Sequence, residues 1–287
     1  MTLCLSVVIP VHDGAHLLER QLDALATSMD GAPQTELIVV DNRSTDGSST
    51  VATSWAVRHD IGLRVVEAAE RPGEPYARNV GAYAAESDRI AFCDADDEVG
   101  PGWVEAMAAG LASSDYVTGP VDTVLLNEPW QVAMRSDLQR DRPATTYGGV
   151  AFAHGCNMGF RRAALLGLGG FDETFLIGCD VEIGVRAWRQ KMQLDWLPDA
   201  QVHYRLRASQ SEAYRQARAY GRSRARIRTL LADQVNAGAE RRTAIRRAGW
   251  LLRHLPQVAS PVGRARWVWV AGQVAGELGA IRQSTRP

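Results

Sequence analysis

The chain has 287 residues, 46% hydrophobic and 23% charged, which suits a globular protein with one large domain and an appendage. Its 4 cysteines (Cys4, Cys93, Cys156 and Cys179) form no Cys-x-x-Cys pair and no Cys/His cluster of zinc spacing, which argues against a zinc module, and reduced thiols are the default expected of a cytosolic protein. The net charge of −1 conceals a segregation: residues 204–287 hold 17 Arg against 4 acids, a net +13, so residues 1–203 carry −14.

Residues 5–9 read as a buried strand ended by Pro10. No basic leader or cleavage site precedes it, so no signal peptide is expected and the expected location is cytoplasmic. Residues 16–29 carry helical spacing at Leu17, Leu18, Leu22 and Leu25. A second apolar strand over 36–40 runs into Asp41, a helix follows over 48–59, and a third strand over 63–66. Residues 76–86 read as a helix entered through Pro75, in the first-turn position that proline tolerates. A fourth strand over 89–93 closes a strand–helix alternation that predicts an α/β fold, a mostly parallel central sheet with helices on both faces.

Asp94, Asp96 and Asp97 emerge together from the C-terminal end of that fourth strand. In open α/β sheets this is the end where ligands bind. Carboxylates one residue apart can share a hard divalent cation, and such a cation can hold a diphosphate. An acidic turn is the plainer alternative. No Gly-x-Gly-x-x-Gly follows the first strand and no Walker loop occurs, so a phosphate bound here would depend on a metal for counter-charge.

Further along, residues 116–118 read as a strand, and the polar stretch around Gly148-Gly149 as a flexible loop. Another strand is expected over 155–160, a turn over 167–172, a helix over 180–190 and a strand pair over 194–204 around Pro198-Asp199. A long Arg-rich helix is expected over 209–231 and another over 241–255, with Pro256 and Pro261 bracketing a hinge. A third, apolar helix is expected from Trp267 to near Ile281, short of the roughly 20 residues needed to span a bilayer.

Five pieces carry a resemblance. They are Val7-Val8-Ile9-Pro10-Val11; Val39-Val40-Asp41-Asn42-Arg43-Ser44-Thr45-Asp46-Gly47; Ala77-Arg78-Asn79-Val80-Gly81; Asp94-Ala95-Asp96-Asp97; and Gly169-Gly170-Phe171-Asp172-Glu173 followed by Gly178-Cys179-Asp180-Val181-Glu182. In this order they resemble the family 2 glycosyltransferases, which have the GT-A fold, over roughly residues 3–207. The resemblance implies a GT-A catalytic domain over 1–207, with a nucleotide-binding half (1–100) and an acceptor and metal half (101–207). Residues 208–287 would form a helical appendage.

The resemblance also implies roles. Pro10 and Val11 would line the nucleotide-base pocket, and Asp41 would accept a hydrogen bond from the base. Arg71 or Arg78 would reach base or phosphate. Asp94, with Ala95 and Asp96 beside it, would face ribose or sugar. Asp96 would coordinate Mn²⁺ or Mg²⁺ bridging the phosphates, and His203 would be a further ligand; imidazole favours Mn²⁺. Asp180 would be the catalytic base. The family usually shows Glu-Asp where this chain has Cys179-Asp180, so one acid is missing. Cys179 reads as a packed thiol or a reactive one, and Glu182 pairs with Arg186 one turn on.

The implied activity is inverting, metal-dependent transfer of one sugar from a nucleoside-diphosphate sugar to an acceptor hydroxyl, in cell-envelope glycan, glycolipid or natural-product biosynthesis. The alternative is an inactive glycosyltransferase-like binding or scaffold protein. The basic appendage suits an anionic membrane surface, with Trp250, Trp267 and Trp269 resting on it at the inner face, or else a homodimer or packing on the catalytic domain with its arginines facing acidic patches; no nucleic-acid module is recognisable.

Overall fold

The computed structural model describes residues 3–135, 139–146, 148–231 and 246–284. In chain order its elements are β1 (Leu5–Val11), α1 (Ala15–Met29), β2 (Thr35–Asp41), α2 (Ser48–His59), β3 (Leu63–Glu67), α3 (Glu74–Ala84), β4 (Arg89–Phe92), β5 (Glu98–Val99), α4 (Trp103–Ser113), β6 (Tyr116–Thr118) and β7 (Val121–Asp122). They continue with α5 (Pro129–Val132), β8 (Ala144–Thr145), β9 (Ala151–Phe152), β10 (Met158–Arg161), α6 (Arg162–Gly167), α7 (Cys179–Arg189), β11 (Leu194–Trp196) and β12 (Val202–His203). Last come α8 (Gln210–Leu230), α9 (246–253), a 3-10 turn (Leu255–Ala259) and α10 (Pro261–Ser284). Two compact units result: one comprises Met1–Asp122, Gln139–Thr146 and Val150–Arg205, the other Thr123–Leu138, Tyr147–Gly149 and Leu206–Pro287.

The first unit is an α/β structure on a seven-stranded sheet of order β11-β6-β10-β4-β1-β2-β3. Its strands are parallel except β10, which runs against both β4 and β6. Residues Val7, Val8, Ile9 and Leu37 to Val40 are fully buried, the continuous apolar runs that a sheet covered on both faces requires. β1 does not end at Pro10 as expected but runs to Val11. Its pairing with β4 stops at Val8↔Phe92, so no neighbour on that side calls for the N–H that Pro10 lacks, while Pro10 still faces Val40 of β2. The chain order passes from β1 outward to β2 and β3 and then back to β4 on the other side of β1. That reversal opens a crevice at the C-terminal ends of β1 and β4.

Three expectations shift. The helix of 76–86 begins at Glu74 and ends at Ala84, because the chain turns extended at Ala85 and the Glu86 N–H bonds Glu36 Oε1 at 2.7 Å. The strand of 155–160 starts only at Met158. Residues 154–157 form a turn instead, closed by the Asn157 N–H on the His154 carbonyl at 2.9 Å. The strand pair of 194–204 does not form. β11 joins the large sheet beside β6, while β12 enters a three-stranded sheet of order β5-β12-β7. Between them the Ala200 carbonyl packs so close to Gly119 that a Cβ there would meet it at 2.1 Å, and this seat carries the chain from one sheet to the other.

The second unit is helical. The helix α8 has Ser209 as its N-cap, in a reciprocal box with Glu212. α8 and α10 cross with their backbones nearly touching: a Cβ on Gly221 would meet the Gln273 carbonyl at 2.2 Å, and one on Gly276 the Arg218 carbonyl at 2.1 Å. Buried Glu277 receives Arg224 at 3.5 Å, Arg228 at 3.6 Å and Arg247 at 2.5 Å. Several arginines of the basic third are therefore held internally around one carboxylate. α10 begins at Pro261, earlier than the expected Trp267, because proline suits a first helical turn. Helix α9 occupies 246–253; the expected helical residues 241–245 lie outside the described residues.

Helix α3 lies against the sheet through Gly81, where a Cβ would meet Val8 Cγ1 at 2.3 Å and Val40 Cγ2 at 3.0 Å. Gly81→Ala gains about 1 kcal/mol of helix propensity but overpacks stiff, fully buried valines. We expect a net loss of about 1–2 kcal/mol in unfolding free energy, measured by urea titration; an alanine variant more stable than the parent contradicts this packing.

Candidate functional site

The residues expected to hold a nucleotide converge on the crevice at the strand ends. Val11 pairs with Asp41 across β1 and β2, and the Cys93 N–H bonds the Val8 carbonyl, so Asp94 leaves the sheet beside the Pro10 end of β1. Asp41 accepts the Ser44 N–H at 2.8 Å and the Ser49 hydroxyl. Burial pushes its pKa up, but these hydrogen bonds outweigh it and hold the carboxyl below the usual aspartate range. Next to it, the Asn42 amide secures the loop that carries Arg71: it donates to the carbonyls of Ala68 (2.6 Å) and Arg71 (2.8 Å) and accepts the Gly73 N–H (2.7 Å). The Arg71 guanidinium is mostly exposed at this rim and pairs with Glu173 at 2.5 Å.

Arg78, expected to reach a base or phosphate, is instead buried, only 1% exposed. Its guanidinium pairs with Glu74 and with Asp94 Oδ1 at 2.9 Å, and it donates to Cys179 Sγ at 3.4 Å. It lies over the Phe171 ring at 5.7 Å and against Gly155, where a Cβ would meet Nη2 at 2.4 Å. Its Nε is buried without a hydrogen-bond partner. One buried cation thus ties α3, the acidic segment beyond β4, the 154–157 turn and the start of α7 to a single point. Beside it Asn79 accepts the Phe171 N–H at 2.8 Å and donates to the Phe171 carbonyl at 2.9 Å and Glu173 at 3.1 Å.

Asp180 sits in the first turn of α7, where the helix dipole favours a carboxylate. Oδ1 accepts its neighbour's Val181 N–H at 2.9 Å, Oδ2 accepts the Gly155 N–H at 3.3 Å, and His154 Nδ1 lies 3.7 Å from Oδ2. Burial raises the Asp180 pKa, yet His154, Arg78 and the Val181 N–H together hold it below the ordinary value. Asp94 goes the other way: burial and the charge of Glu74 push it up against the pull of Arg78. Cys179 is buried and burial drives its thiol up, which makes it a packed thiol and not a reactive one. Glu182 pairs with Arg186 at 2.6 Å, as the helical spacing predicts.

The carboxylates beyond β4 divide. The Ala95 side chain is buried in the core, and Asp97 is buried with Oδ1 on the Arg205 N–H at 2.7 Å. The Asp96 carbonyl accepts Arg205 Nε at 3.0 Å. Among the described residues, ligand atoms of Asp94, Asp97 and Cys156 lie within 4.8 Å of one another; Asp96 and His203 are not in that group. Cys156 suits a hard cation poorly, because burial pushes its thiol well up and keeps the proton on. His203 lies on β12 opposite Glu98, two residues beyond Asp96, and its Nδ1 is 3.1 Å from Asp122 Oδ2. A carboxylate only accepts, so the Nδ1–H points at Asp122 and Nε2 faces away from it.

Two groups in this region escaped the sequence reading. His154 has no spacing relation to Asp180, and Asp122 meets His203 only through the pairing of β7 with β12. A histidine directly before the Gly155 turn was the sole available signal for the first, and nothing in the local pattern marked the second.

The model of the family described as Glycosyl transferase family 2 matches residues 6–168, and that of Glycosyl transferase family group 2 matches 89–273. A pre-mycofactocin glycosyltransferase of Mycobacterium tuberculosis is 29% identical over 80% of this chain; the chain spans 48%, about half, of that relative's length. Among solved structures, a mannosyltransferase of Pyrobaculum calidifontis in complex with GDP-Man and Mn²⁺ superposes with a TM-score of 0.62 at 19% identity, covering 98% of this chain and 87% of that one. Residues 1–349 of S. aureus TarS in complex with UDP-GlcNAc give 0.54 at 17% identity over 98% and 92%. With the family model matched over more than half its length and this architecture, the chain belongs to the family 2 glycosyltransferases and has their GT-A fold.

Proposed function

We propose that this protein is an inverting, metal-dependent glycosyltransferase that moves one sugar from a nucleoside-diphosphate sugar to an acceptor hydroxyl in cell-envelope glycan, glycolipid or natural-product biosynthesis. The observation that carries this reading is the junction at Arg78. It holds Asp94, at the strand end where a donor would lie, and Cys179, next to Asp180, on one guanidinium. Family membership supports sugar transfer, and the likeness to structures holding GDP-Man or UDP-GlcNAc supports a nucleotide-sugar donor.

Pro10, Val11 and Asp41 would form the floor for the nucleoside, and exposed Arg71 at the rim would meet phosphate. Asp96 and His203 would hold Mn²⁺ or Mg²⁺. His203 supports this reading: a carboxylate orients it through Nδ1, the arrangement that usually backs a metal-ligating imidazole. A bound cation would neutralise charge gathering on the departing diphosphate.

Asp180 acts as the base. Its carboxylate is kept ionised by His154, Arg78 and two backbone N–H groups, and it accepts the proton of the acceptor hydroxyl as that oxygen attacks the anomeric carbon. Its two backbone bonds fix the carboxylate, which limits where the hydroxyl can sit. A single displacement from the face opposite the leaving group inverts the anomeric centre.

Asp96→Ala is expected to abolish the Mn²⁺-dependent thermal shift produced by nucleoside diphosphates; an unchanged shift removes Asp96 from the metal site. Asp180→Asn is expected to retain donor binding and to lose about 10²–10⁴-fold in kcat, measured by release of the nucleoside diphosphate with acceptor present. Because the Asp180 pKa is lowered, the base stays ionised and kcat falls only as pH drops below the ordinary aspartate range. His154→Phe removes the imidazole that lowers this pKa, so the acid limb of the kcat profile should move upward; an unmoved limb separates His154 from the base.

A further inference from the structure

The end of α9, the turn that follows and the start of α10 present apolar side chains where surface segments ordinarily carry polar ones. Leu252 is 79% exposed, Leu255 55% and Val262 39%. This exposure belongs to a tightly built turn. Trp267 Nε1 donates to the Leu251 carbonyl at 3.0 Å, and the Gly263 N–H bonds Ser260 Oγ at 3.0 Å. A Cβ on Gly263 would meet the Gln257 carbonyl at 2.1 Å, so the two backbones are in contact.

The charges of this stretch are of one sign. Arg246, Arg253, Arg264 and Arg266 are exposed, and the sequence holds no Asp or Glu between residues 241 and 276. Of the tryptophans expected at a membrane, Trp269 is buried, Trp250 is half-buried and stacked on His254 at 4.2 Å, and Trp267 is half-buried and bonded to Leu251.

We propose that this turn docks on the surface of an anionic lipid bilayer, with Leu252, Leu255 and Val262 entering the headgroup boundary and the arginines meeting lipid phosphates. The charge pattern selects this occupant. A second copy seated on the same face would set arginine against arginine, because a two-fold interface apposes a patch to itself. A bilayer rich in acidic lipid supplies both the apolar layer and the distributed negative charge. Among the described residues no helix is long and apolar enough to cross a membrane, so the contact is interfacial.

The test is flotation of the full chain with vesicles of phosphatidylcholine alone and of phosphatidylcholine mixed with phosphatidylglycerol. The chain is expected to float with the anionic vesicles only and to detach at high salt. The pair Leu252→Glu and Leu255→Glu, and separately Arg253→Gln with Arg264→Gln, should each lower the bound fraction about tenfold with an unchanged circular dichroism spectrum and thermal midpoint. A parent chain that does not float with anionic vesicles overturns the proposal, and so does a glutamate variant that floats equally well. A dimer in light scattering that the glutamate variant converts to monomer, without vesicle binding by the parent, assigns the face to a second copy and also overturns it.

Discussion

The buried guanidinium of Arg78 is the constraint on which the first unit's chemistry rests. A charge taken out of water costs several kcal/mol unless it is paired. Glu74 and Asp94 supply that pairing, and removing both would leave an uncompensated charge in the interior. The requirement is geometric as well as electrostatic. Gly155 must lack a side chain for the guanidinium to lie where it does, and the N-terminus of α7 must arrive with Cys179 facing it. Three segments far apart in the chain therefore cannot move independently of Asp94. An acid at position 179 would give Arg78 a third carboxylate; this chain places a small packed thiol there and relies on Glu74 and Asp94.

Neutral amides extend the same logic outward. Asn42 joins the end of β2 to the loop bearing Arg71, and Asn79 joins α3 to the Phe171-Asp172-Glu173 segment, whose Glu173 returns to Arg71. Buried amides have donors and acceptors that must all find partners, so each one specifies two or three backbone positions at once. The strings that carry the family resemblance are thus a mutually bonded frame as much as a set of ligands. Gly81, at the end of one such string, acts by absence: it lets α3 approach β1 and β2 closely enough for Arg78 to reach the strand ends.

The second unit uses its charge differently from what composition alone suggests. A net positive third of the chain reads as a surface property, yet Arg224, Arg228 and Arg247 converge on one buried glutamate between closely packed helices. Glycines at the α8–α10 crossing bring the backbones together, and the aromatic pair Tyr220 and Trp269 covers Arg135. The exposed arginines are divided between α8, with Arg215, Arg218, Arg222 and Arg226, and the stretch from α9 into α10, with Arg246, Arg253, Arg264 and Arg266.

The strands, their order as alternating elements and the carboxylates at the end of β4 were legible in the sequence, because parallel strands buried on both faces must be continuous apolar runs and must be joined by helices. The helix entered through Pro75 was legible for the same local reason, while the start of α10 at Pro261 was not. The reversal of β10, the parting of β11 from β12 and the partners of Arg78, Asp180 and His203 were not. They depend on pairings between residues from 16 to more than 100 positions apart, and no local periodicity encodes those. Sequence by itself determined which groups could ionise and which elements would carry them. Only the tertiary structure decided that a helix arginine would be buried as an internal tie, that a histidine would steady Asp180 and that an arginine-rich tail would hide part of its charge, because burial and pairing are properties of the packed chain.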